Sequence, residues 1–270
     1  MLDDFARDGA VALRGLLDDR WITDLRSAIP ELLERAEDPG RRLRGAAETT
    51  ASVLQADGMW LHSPTFRAFL FESPIGAAAA DLMRSHTARL YEDLLLHGAA
   101  GAAGTPSWHQ DSPSWPLMGA QLSSVWFTLE PVTAETGALR VVAGSHRGPM
   151  YVPWFSADHA SAHDLELWTG GPFPDIDADP ARFPVLTFAT EPGDVVVFHP
   201  QVIHTAIGAS PTHPRRTFTI RFMGDDVRWL PRHRIFHRWM NDCGFAQGDV
   251  LDHPRFPVVW PAPADARTVP

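Results

Sequence analysis

The sequence predicts a mainly β domain, a sandwich or barrel, with helices flanking it. Three observations lead to this fold class. Short apolar or alternating runs recur through the middle and later parts of the chain, turns rich in glycine and proline separate them, and the segments with helical spacing lie mainly before them. Short strands with such turns are typical of β sandwiches and barrels, whereas βαβ units need a helix between successive strands.

The N-terminal third is predicted to supply the flanking helices. Residues 3–37 have the pattern helix, strand, helix: the short apolar run Val11–Leu13 comes first, and apolar residues at helical spacing extend from Ile22 to Ala36. Residues 38–52 are charged and small, which is typical of a surface loop. The alanine-rich segment Ser63–Ser85 again has a helical period.

The predicted strands follow in order. Their apolar or alternating runs are Arg89–Leu96, Gln121–Leu129, Ala138–Val142, Val185–Ala189, Val195–Phe198 and Thr217–Phe222. Residues 148–180 are predicted to form a lid-like insertion, because ordered loops of this length are uncommon unless they cover a site. The proline-rich tail, residues 254–270, is expected to wrap the surface. We therefore expect a single domain over residues 1–270.

Composition and charge exclude several classes of protein. The net charge of −10 disfavours a nucleic-acid-binding protein, which needs a basic surface to neutralise phosphates. All basic residues apart from histidine are arginines, so no Schiff-base or phosphate-binding lysine is available. The single Cys243 forms no internal disulfide. We see no signal peptide and no apolar run long enough for a membrane span, and expect a cytoplasmic protein.

The sequence Trp108-His109-Gln110-Asp111 is the first candidate for a metal site. In a strand, residues two apart point to the same side, so His109 and Asp111 would face one point and Gln110 would face away. An imidazole and a carboxylate suit a borderline divalent metal. By itself this match is weak, because a surface histidine near an acidic residue is common.

A second element strengthens the metal hypothesis. In EPGDVVVFHPQVIH, a turn and a valine-rich strand lead to His204, and Arg215 follows after a turn that can reverse the chain. We therefore expect His204 and Arg215 on adjacent antiparallel strands. Arg215 and Thr217 would share one strand face, and Arg216 would face the other way.

These residues predict an iron(II) site that also binds 2-oxoglutarate. Two histidines and a carboxylate occupy one face of an octahedral iron(II) and leave three positions open. A 2-oxo acid takes two of them, and one remains for dioxygen (O2). The far carboxylate of 2-oxoglutarate then needs a cation, for which the guanidinium of Arg215 is suited.

From about Phe5 to Trp229, the chain resembles the phytanoyl-CoA dioxygenase family, which includes ectoine hydroxylase. The shared landmarks, in family order, are DGAVALRGLL, WHQDSPSW, ETGALRVVAGSHR, PGDVVVFHPQVIH and RRTFTIRFMGDD. The resemblance implies a double-stranded β-helix, which is a cupin-like jelly roll. It also implies an iron(II)- and 2-oxoglutarate-dependent dioxygenase that hydroxylates an unactivated C–H of a small molecule and releases succinate and CO2.

The resemblance also implies roles for individual residues. His109, Asp111 and His204 match the iron ligands, and Arg215 matches the arginine that binds the co-substrate. Ser124 and Trp126 fall where the family lines the 2-oxoglutarate pocket, and Trp115 matches an aromatic beside the site. Gly144-Ser145-His146-Arg147 is expected to be a structural turn. The residues themselves leave core packing open as an alternative for the tryptophans.

Several alternatives follow from the same residues. His159/His163 and His233/His237 have the spacing of a helical metal site, but neither pair has the glutamate of a zincin. The predicted site would also serve desaturation or ring formation in secondary metabolism, and a metal-binding β-barrel without turnover is a further possibility. Aromatic residues including Trp115 and Trp154 predict a substrate entrance for a natural-product or amino-acid-like molecule. The sequence leaves the substrate and the oligomeric state open.

Overall fold

The computed structural model of the protein describes residues 1–37, 53–98, 108–153, 166–206, 212–231 and 243–262. The helices are α1 (Leu2–Asp8), α2 (Asp19–Glu37), α3 (Met59–His62), α4 (Pro64–Glu72) and α5 (Ile75–Met83). The strands are β1 (Ala10–Leu13), β2 (Val53–Asp57), β3 (Ala88–Gly98), β4 (Leu117–Met118), β5 (Leu122–Thr128), β6 (Leu139–Val142), β7 (Val185–Phe188), β8 (Val195–Phe198), β9 (His204–Thr205), β10 (Arg215–Met223), β11 (Arg228–Trp229) and β12 (Val258–Trp260). The predicted loop at residues 38–52 lies outside the described residues.

The helical segment Ser63–Ser85 is divided into two helices. Ser73 adopts an extended conformation between α4 and α5, and Pro74 follows it. Proline disfavours the helical conformation of the residue before it and has no N–H for a helical hydrogen bond, which favours a break at this point. The break turns α5 back against the sheet.

The main sheet is antiparallel and has the strand order β1-β8-β5-β10-β3-β12, with β2 also paired to β3. The longest strands, β3 and β10, lie beside each other, with Arg221 opposite Glu92 and Arg215 opposite Gly98. On its other side β10 pairs with β5, where Arg221 lies opposite Ser124. Strand β10 therefore lies in the middle of the main sheet, between β3 and β5.

A smaller sheet with the order β7-β6-β9 completes the β structure that positions the site. One buried apolar cluster joins the two sheets and includes Trp126, Val196 and Phe198 from the main sheet and Leu139 and Val141 from the smaller one. The opposite face of the main sheet packs against the helices through a second, larger cluster. Two facing antiparallel sheets with helices on one outer face form a jelly roll, so the predicted fold class is confirmed.

The sequence led us to expect that the proline-rich tail only wraps the surface, but part of it joins the main sheet. Val258–Trp260 forms β12 and adds to the edge of the main sheet at β3. Phe256 and Val259 are fully or almost fully buried, so this part of the tail belongs to the core. Pro257 and Pro261 flank this edge strand, where the missing N–H of proline is tolerated. Among the described helices, none combines the length and the apolar character that a membrane crossing requires.

Candidate metal centre

His109 and His204 are joined through their backbones. The amide of His109 donates to the carbonyl of His204 at 3.1 Å, and the amide of His204 donates to the carbonyl of His109 at 2.9 Å. This pair is an isolated antiparallel bridge at the end of β9. The two imidazole rings lie on one side, with their centroids 4.2 Å apart. Two side chains from distant parts of the chain are thereby fixed beside each other.

Asp111 is positioned by a turn and not by the strand that the sequence predicted. Its backbone has helical angles, and it is followed by the 3-10 helix Ser112–Ser114. Its amide donates to the carbonyl of Pro200 at 2.8 Å. Pro113 ends any strand here because it has no N–H to donate. The strand alternation was therefore the wrong reason for the convergence of His109 and Asp111, although their side chains do converge.

Three donor atoms converge at one point. Asp111 Oδ1 lies 3.7 Å from His109 Nε2 and 4.0 Å from His204 Nε2, and the ligand atoms of all three residues lie within 4.8 Å of one another. The 3.7 Å and 4.0 Å separations exceed a hydrogen bond, and they are longer by up to about 1 Å than the roughly 3 Å between neighbouring ligands of an octahedral ion with bonds near 2.1 Å, so the three side chains would close slightly around a bound ion. The donor set fits a divalent first-row metal with open coordination positions.

The charges of His204 and Asp111 also suit a cation. Burial, followed by the neighbouring His109, lowers the pKa of His204 to about 4, so its imidazole is neutral at neutral pH. Burial raises the pKa of Asp111, but Arg221, His204 and His109 together outweigh it and lower the pKa below the ordinary value. Metal ligation requires a neutral imidazole and an ionised carboxylate. His109 is the most exposed of the three, with 32% of its side chain accessible.

Arg221 and Glu92 lie directly behind Asp111. Arg221 Nη2 donates to Asp111 Oδ2 at 3.1 Å, and Arg221 Nη1 forms an ion pair with Glu92. The guanidinium lies over the ring of Trp115, 5.1 Å from its centroid, and that ring packs against Tyr91. Burial opposes the charge on Arg221, but Asp111 and Glu92 raise its pKa above the ordinary value. The guanidinium is thus a buried cation held by two carboxylates and an aromatic face.

Arg215 lies at the other end of the same face of β10. Its guanidinium donates to the carbonyl of Ala206 at 2.8 Å and to that of Gly137 at 3.0 Å, and its Nε donates to Thr217 Oγ1 at 3.1 Å. Burial lowers its pKa to about 10, so it stays protonated at neutral pH. A buried guanidinium oriented in this way suits the binding of an anionic carboxylate.

The expected pairing of the strands that carry His204 and Arg215 was wrong. Strand β9 pairs with β6 in the smaller sheet, whereas β10 pairs with β3 and β5 in the main sheet. The two residues are nevertheless close, because Arg215 crosses between the sheets to Ala206, two positions after His204. Strands β9 and β10 therefore belong to different sheets and do not form a hairpin pair.

Ser124 and Trp126 share the face of β5 that points between the sheets. Trp126 packs with Val196 and Phe198 in the cluster that joins the two sheets. Ser124 lies opposite Arg221 on β10 and is fully buried. Within the described part of the chain, its hydroxyl makes no hydrogen bond. The Ser124 hydroxyl is therefore available to a polar group within this interior.

Gln110 faces away from the metal ligands, as predicted, and connects three segments. Its amide nitrogen donates to the carbonyls of Pro149 and Gln201, and its oxygen accepts a hydrogen bond from the amide of Tyr151. The predicted lid-like insertion is described on both sides of residues 154–165, and Trp168 from its second part donates to the carbonyl of Pro113 at 3.0 Å. Both ends of the insertion are therefore attached to the segment that carries His109 and Asp111.

The comparison with known families decides the relationship of this chain to other proteins. A sequence model of the phytanoyl-CoA dioxygenase (PhyH) family matches residues 5–217. The chain belongs to this family. A probable phytanoyl-CoA dioxygenase of Caenorhabditis elegans is 30% identical over 124 residues, which are 44% of this chain and 36% of that protein. The peroxisomal phytanoyl-CoA dioxygenase of Rattus norvegicus is 31% identical over 130 residues, 45% of this chain and 34% of that protein. The matched segment thus spans about a third of the length of these curated relatives.

Solved structures share the fold of this phytanoyl-CoA dioxygenase family member. The non-heme alpha-ketoglutarate-dependent carbocyclase SnoK from nogalamycin biosynthesis has a TM-score of 0.72 and 22% identity, with 95% of this chain and 94% of that chain covered. EctD from S. alaskensis with bound Fe has a TM-score of 0.70 and 18% identity, with 92% and 85% covered. At such identities the likeness concerns the fold, and it agrees with the jelly roll described above.

The structure of this family member places most of the predicted site residues within one region. Arg216 lies on the opposite face of β10 and forms an ion pair with Glu130, which is the structural role expected from strand alternation. The segment Ser145–Arg147 forms the expected turn as a 3-10 helix. Trp115 is buried under Arg221, so the predicted place at a substrate entrance stays untested. Trp154 and the pairs His159/His163 and His233/His237 lie outside the described residues.

Sequence reasoning missed the connection between Arg221, Glu92 and Asp111. Two signals were present. Arg221 has the same strand parity as Arg215, and Glu92 is a charged residue within the apolar run Arg89–Leu96. A charge in a buried strand requires a partner, but the register that brings these particular residues together is a tertiary property.

Proposed function

We propose that this protein is an iron(II)- and 2-oxoglutarate-dependent dioxygenase that hydroxylates an unactivated C–H of a small molecule. The single observation that supports the proposal most strongly is the convergence of His109 Nε2, Asp111 Oδ1 and His204 Nε2. Two imidazoles and one carboxylate on one side of an ion leave the other positions open for a chelating co-substrate. Membership of the phytanoyl-CoA dioxygenase family supports the same activity.

Arg215 is the proposed partner of the distal carboxylate of 2-oxoglutarate. The guanidinium is buried and positioned by carbonyl groups and by Thr217, so it is already oriented before a ligand binds. The hydroxyls of Thr217 and Ser124 and the ring of Trp126 would line the co-substrate pocket. When bound, iron(II) and 2-oxoglutarate together with dioxygen would supply the oxidation that converts C–H to C–OH, with succinate and CO2 as co-products.

The chain itself contributes orientation and exclusion of water. The backbone bridge between His109 and His204 fixes two imidazoles, and burial keeps His204 neutral and able to bind a metal. The apolar cluster between the sheets surrounds the proposed pocket on the side of Trp126. A dry and preorganised pocket strengthens the electrostatic interactions within it.

A small molecule is the proposed substrate, of the natural-product or amino-acid-like class. Related structures support this class, because SnoN was solved with nogalamycin RO and EctD with 5-hydroxyectoine. Trp115 and Trp154 are the proposed substrate-side aromatics. Ring formation on the same site is a second candidate, and it is supported by SnoK, whose structure is described as that of a carbocyclase.

We also infer that residues 1–270 act as one domain in the cytoplasm, with small molecules and no nucleic acid as partners. Strand β1 near the start of the chain and β12 near its end both belong to the main sheet, which supports a single folding unit. Limited proteolysis that released a stable half of the chain would contradict this inference.

Anaerobic titration tests the proposed activity. Iron(II) with 2-oxoglutarate should give a weak visible charge-transfer band, and admission of oxygen with a substrate library should release succinate. His109→Ala and Asp111→Ala should abolish succinate release, because each removes one of three ligands. Near-normal succinate from either folded variant would contradict the assignment. A charge-transfer band without turnover on any substrate would favour a binding protein that lacks catalysis.

A further inference from the structure

The two oxygens of Asp111 face different partners. Oδ1 lies 3.7 Å and 4.0 Å from the Nε2 atoms of the two histidines, whereas Oδ2 accepts a hydrogen bond from Arg221 at 3.1 Å. A guanidinium that holds one carboxylate oxygen fixes the orientation of the whole group and leaves the other oxygen directed towards the histidines. Asp111 is therefore arranged as a ligand that contributes a single oxygen.

Arg221 is itself held in place by three side chains: Asp111, Glu92 and Trp115. Strand β10 places it opposite Glu92 on β3, and the two side chains form an ion pair. The Trp115 ring lies under the flat face of the guanidinium. Arginine is suited to this position because its planar fork binds two carboxylates and stacks on an aromatic ring at the same time, whereas the point charge of a lysine does not. Only 16% of the Arg221 side chain is exposed.

The formal charges of these buried groups are balanced with and without the ligands. The guanidiniums of Arg221 and Arg215 offset the carboxylates of Asp111 and Glu92. A divalent ion and the doubly charged 2-oxoglutarate cancel each other, so the loaded site would also be neutral. Removal of Arg221 would leave the loaded site negatively charged in a low-dielectric interior, which disfavours an anionic ligand.

We propose that Arg221, anchored by Glu92 and stacked on Trp115, is a positioning residue that keeps Asp111 a one-oxygen ligand and thereby keeps the coordination position for 2-oxoglutarate open. This inference rests on the proposed function. Without the guanidinium, Asp111 Oδ2 is free to turn towards the ion. Binding through both oxygens would then occupy a position that the chelating co-substrate needs.

Arg221→Met is the test variant, because methionine fills part of the volume and removes the charge. Arg216→Met is the matched control. Arg216 comes from the same strand, forms an ion pair with Glu130 and has 20% of its side chain exposed, but it lies on the opposite face and contacts none of the three proposed ligands. Thermal unfolding and circular dichroism first establish that both variants fold.

Two binding measurements without turnover then separate positioning from stability. Anaerobic cobalt(II) titration, with the metal alone, should give a visible spectrum for Arg221→Met that differs from that of the wild type, because the coordination of the ion changes. Anaerobic iron(II) with 2-oxoglutarate should show an increase of about tenfold or more in the dissociation constant of 2-oxoglutarate. Arg216→Met should match the wild type in both measurements, even if it unfolds at a lower temperature.

Arg221→Lys and Glu92→Gln extend the test. Lysine keeps the charge but does not bridge both carboxylates, so 2-oxoglutarate binding should recover only in part. Glu92→Gln keeps Arg221 and the side-chain volume but loosens its anchor, and it should weaken 2-oxoglutarate binding less than Arg221→Met. If Arg221→Met does not fold, Glu92→Gln carries the test, and wild-type values for its cobalt spectrum and its 2-oxoglutarate affinity would overturn the proposal.

The outcomes also distinguish this inference from the proposed function. A wild-type protein that binds neither cobalt(II) nor iron(II) with 2-oxoglutarate would refute the proposed function itself. A wild type that binds both, together with a folded Arg221→Met that has the same cobalt spectrum and the same 2-oxoglutarate affinity, would refute only the positioning role. In that case Arg221 would serve to neutralise buried carboxylates and nothing more.

Discussion

The main chains of His109 and His204 hydrogen-bond to each other in both directions, at 3.1 Å and 2.9 Å. These hydrogen bonds fix the spacing of the two imidazoles through the backbone. The spacing therefore depends on the contacts that hold the chain segments around His109 and His204, as well as on the side-chain rotamers. Gln110 holds both segments, because it donates to the carbonyl of Gln201 near His204 while it is itself adjacent to His109. Residues that do not touch the ion should therefore affect its binding.

Gln110→Leu should lower the free energy of unfolding by about 2–3 kcal/mol and weaken metal binding. The substitution removes two donated hydrogen bonds and one accepted one, and leaves the carbonyls of Pro149 and Gln201 and the amide of Tyr151 without this partner. Urea unfolding and cobalt(II) titration measure the two effects. Gln201→Ala is the control, since its side chain makes one bond to the same neighbourhood, to the carbonyl of Gly148. Equal metal affinity in Gln110→Leu and the wild type would show that this connection is not needed for ligand placement.

Arg215→Ala should raise the concentration of 2-oxoglutarate needed for turnover. The expected loss of binding free energy is about 2–4 kcal/mol, the range for removal of one partner of a buried charged pair. Succinate formation at increasing 2-oxoglutarate concentration measures this change. Arg216→Ala should leave the requirement unchanged and lower stability, because it breaks the ion pair with Glu130 on the other face of β10. The reverse pattern, with Arg216 and not Arg215 controlling the requirement, would reject the proposed pocket.

Gly137→Ala should also weaken 2-oxoglutarate binding, although Gly137 is not proposed to touch the ligand. Its φ of 107° is strained for other residues, and an added Cβ would lie 2.8 Å from Arg215 Nη1, so the guanidinium would have to move. Isothermal titration of the metal-loaded protein with 2-oxoglutarate checks this. Gly171→Ala is the control: Gly171 has a φ of 68° with nothing within 4 Å of the added Cβ, so it carries backbone strain alone. Similar affinities for the two variants would remove the steric argument.

His199→Asn should reduce the pH dependence of stability in acid. Burial, with His146 adding to it, lowers the pKa of His199 to about 4, whereas Asp226 acts in the opposite direction. Between the ordinary pKa near 6.5 and the folded pKa near 4, the unfolded chain binds a proton that the folded protein does not, so the free energy of unfolding falls as pH decreases through this window. Because His199 is only partly buried, we expect a difference on the order of 1–2 kcal/mol.

Urea unfolding of the wild type and His199→Asn at pH 7 and pH 5 measures that difference. At pH 7 and above, both proteins should respond to pH in the same way, because the histidine is neutral in the folded and unfolded states. The wild type should lose more stability than the variant when the pH falls to 5. Parallel losses would mean that His199 titrates normally in the folded protein.

The periodicity of the sequence predicted the elements more reliably than their partners. Val195–Phe198 was predicted with the bounds that the structure shows, and the run Gln121–Leu129 contains β5. Local apolar composition carries this information because Val195–Phe198 and Leu122–Thr128 are buried along their whole length. The break at Ser73 and the strand β12 in the tail were not predicted. The first depends on a proline within an otherwise helical period, and the second on an edge of the main sheet that forms only in the folded molecule.

The composition of the candidate site was predictable, but its geometry was not. His109, Asp111 and His204 were predicted together, and the structure brings them together. The structure differs from the predicted geometry at two points. Asp111 is placed by a turn and not by a strand, and His204 lies in a different sheet from Arg215. Periodicity describes a single strand, whereas these two features depend on Pro113 and on the change of sheet between β9 and β10.

By itself the sequence determined the residue types: a carboxylate and two histidines for a cation, a buried arginine for an anion, and alternating strands around them. Only the tertiary structure decided that Arg221 holds one oxygen of Asp111 and leaves the other towards the histidines. The physical reason is that donor chemistry is a property of single side chains. Which oxygen faces which partner depends on the register of β10 against β3, and contacts between distant segments fix that register.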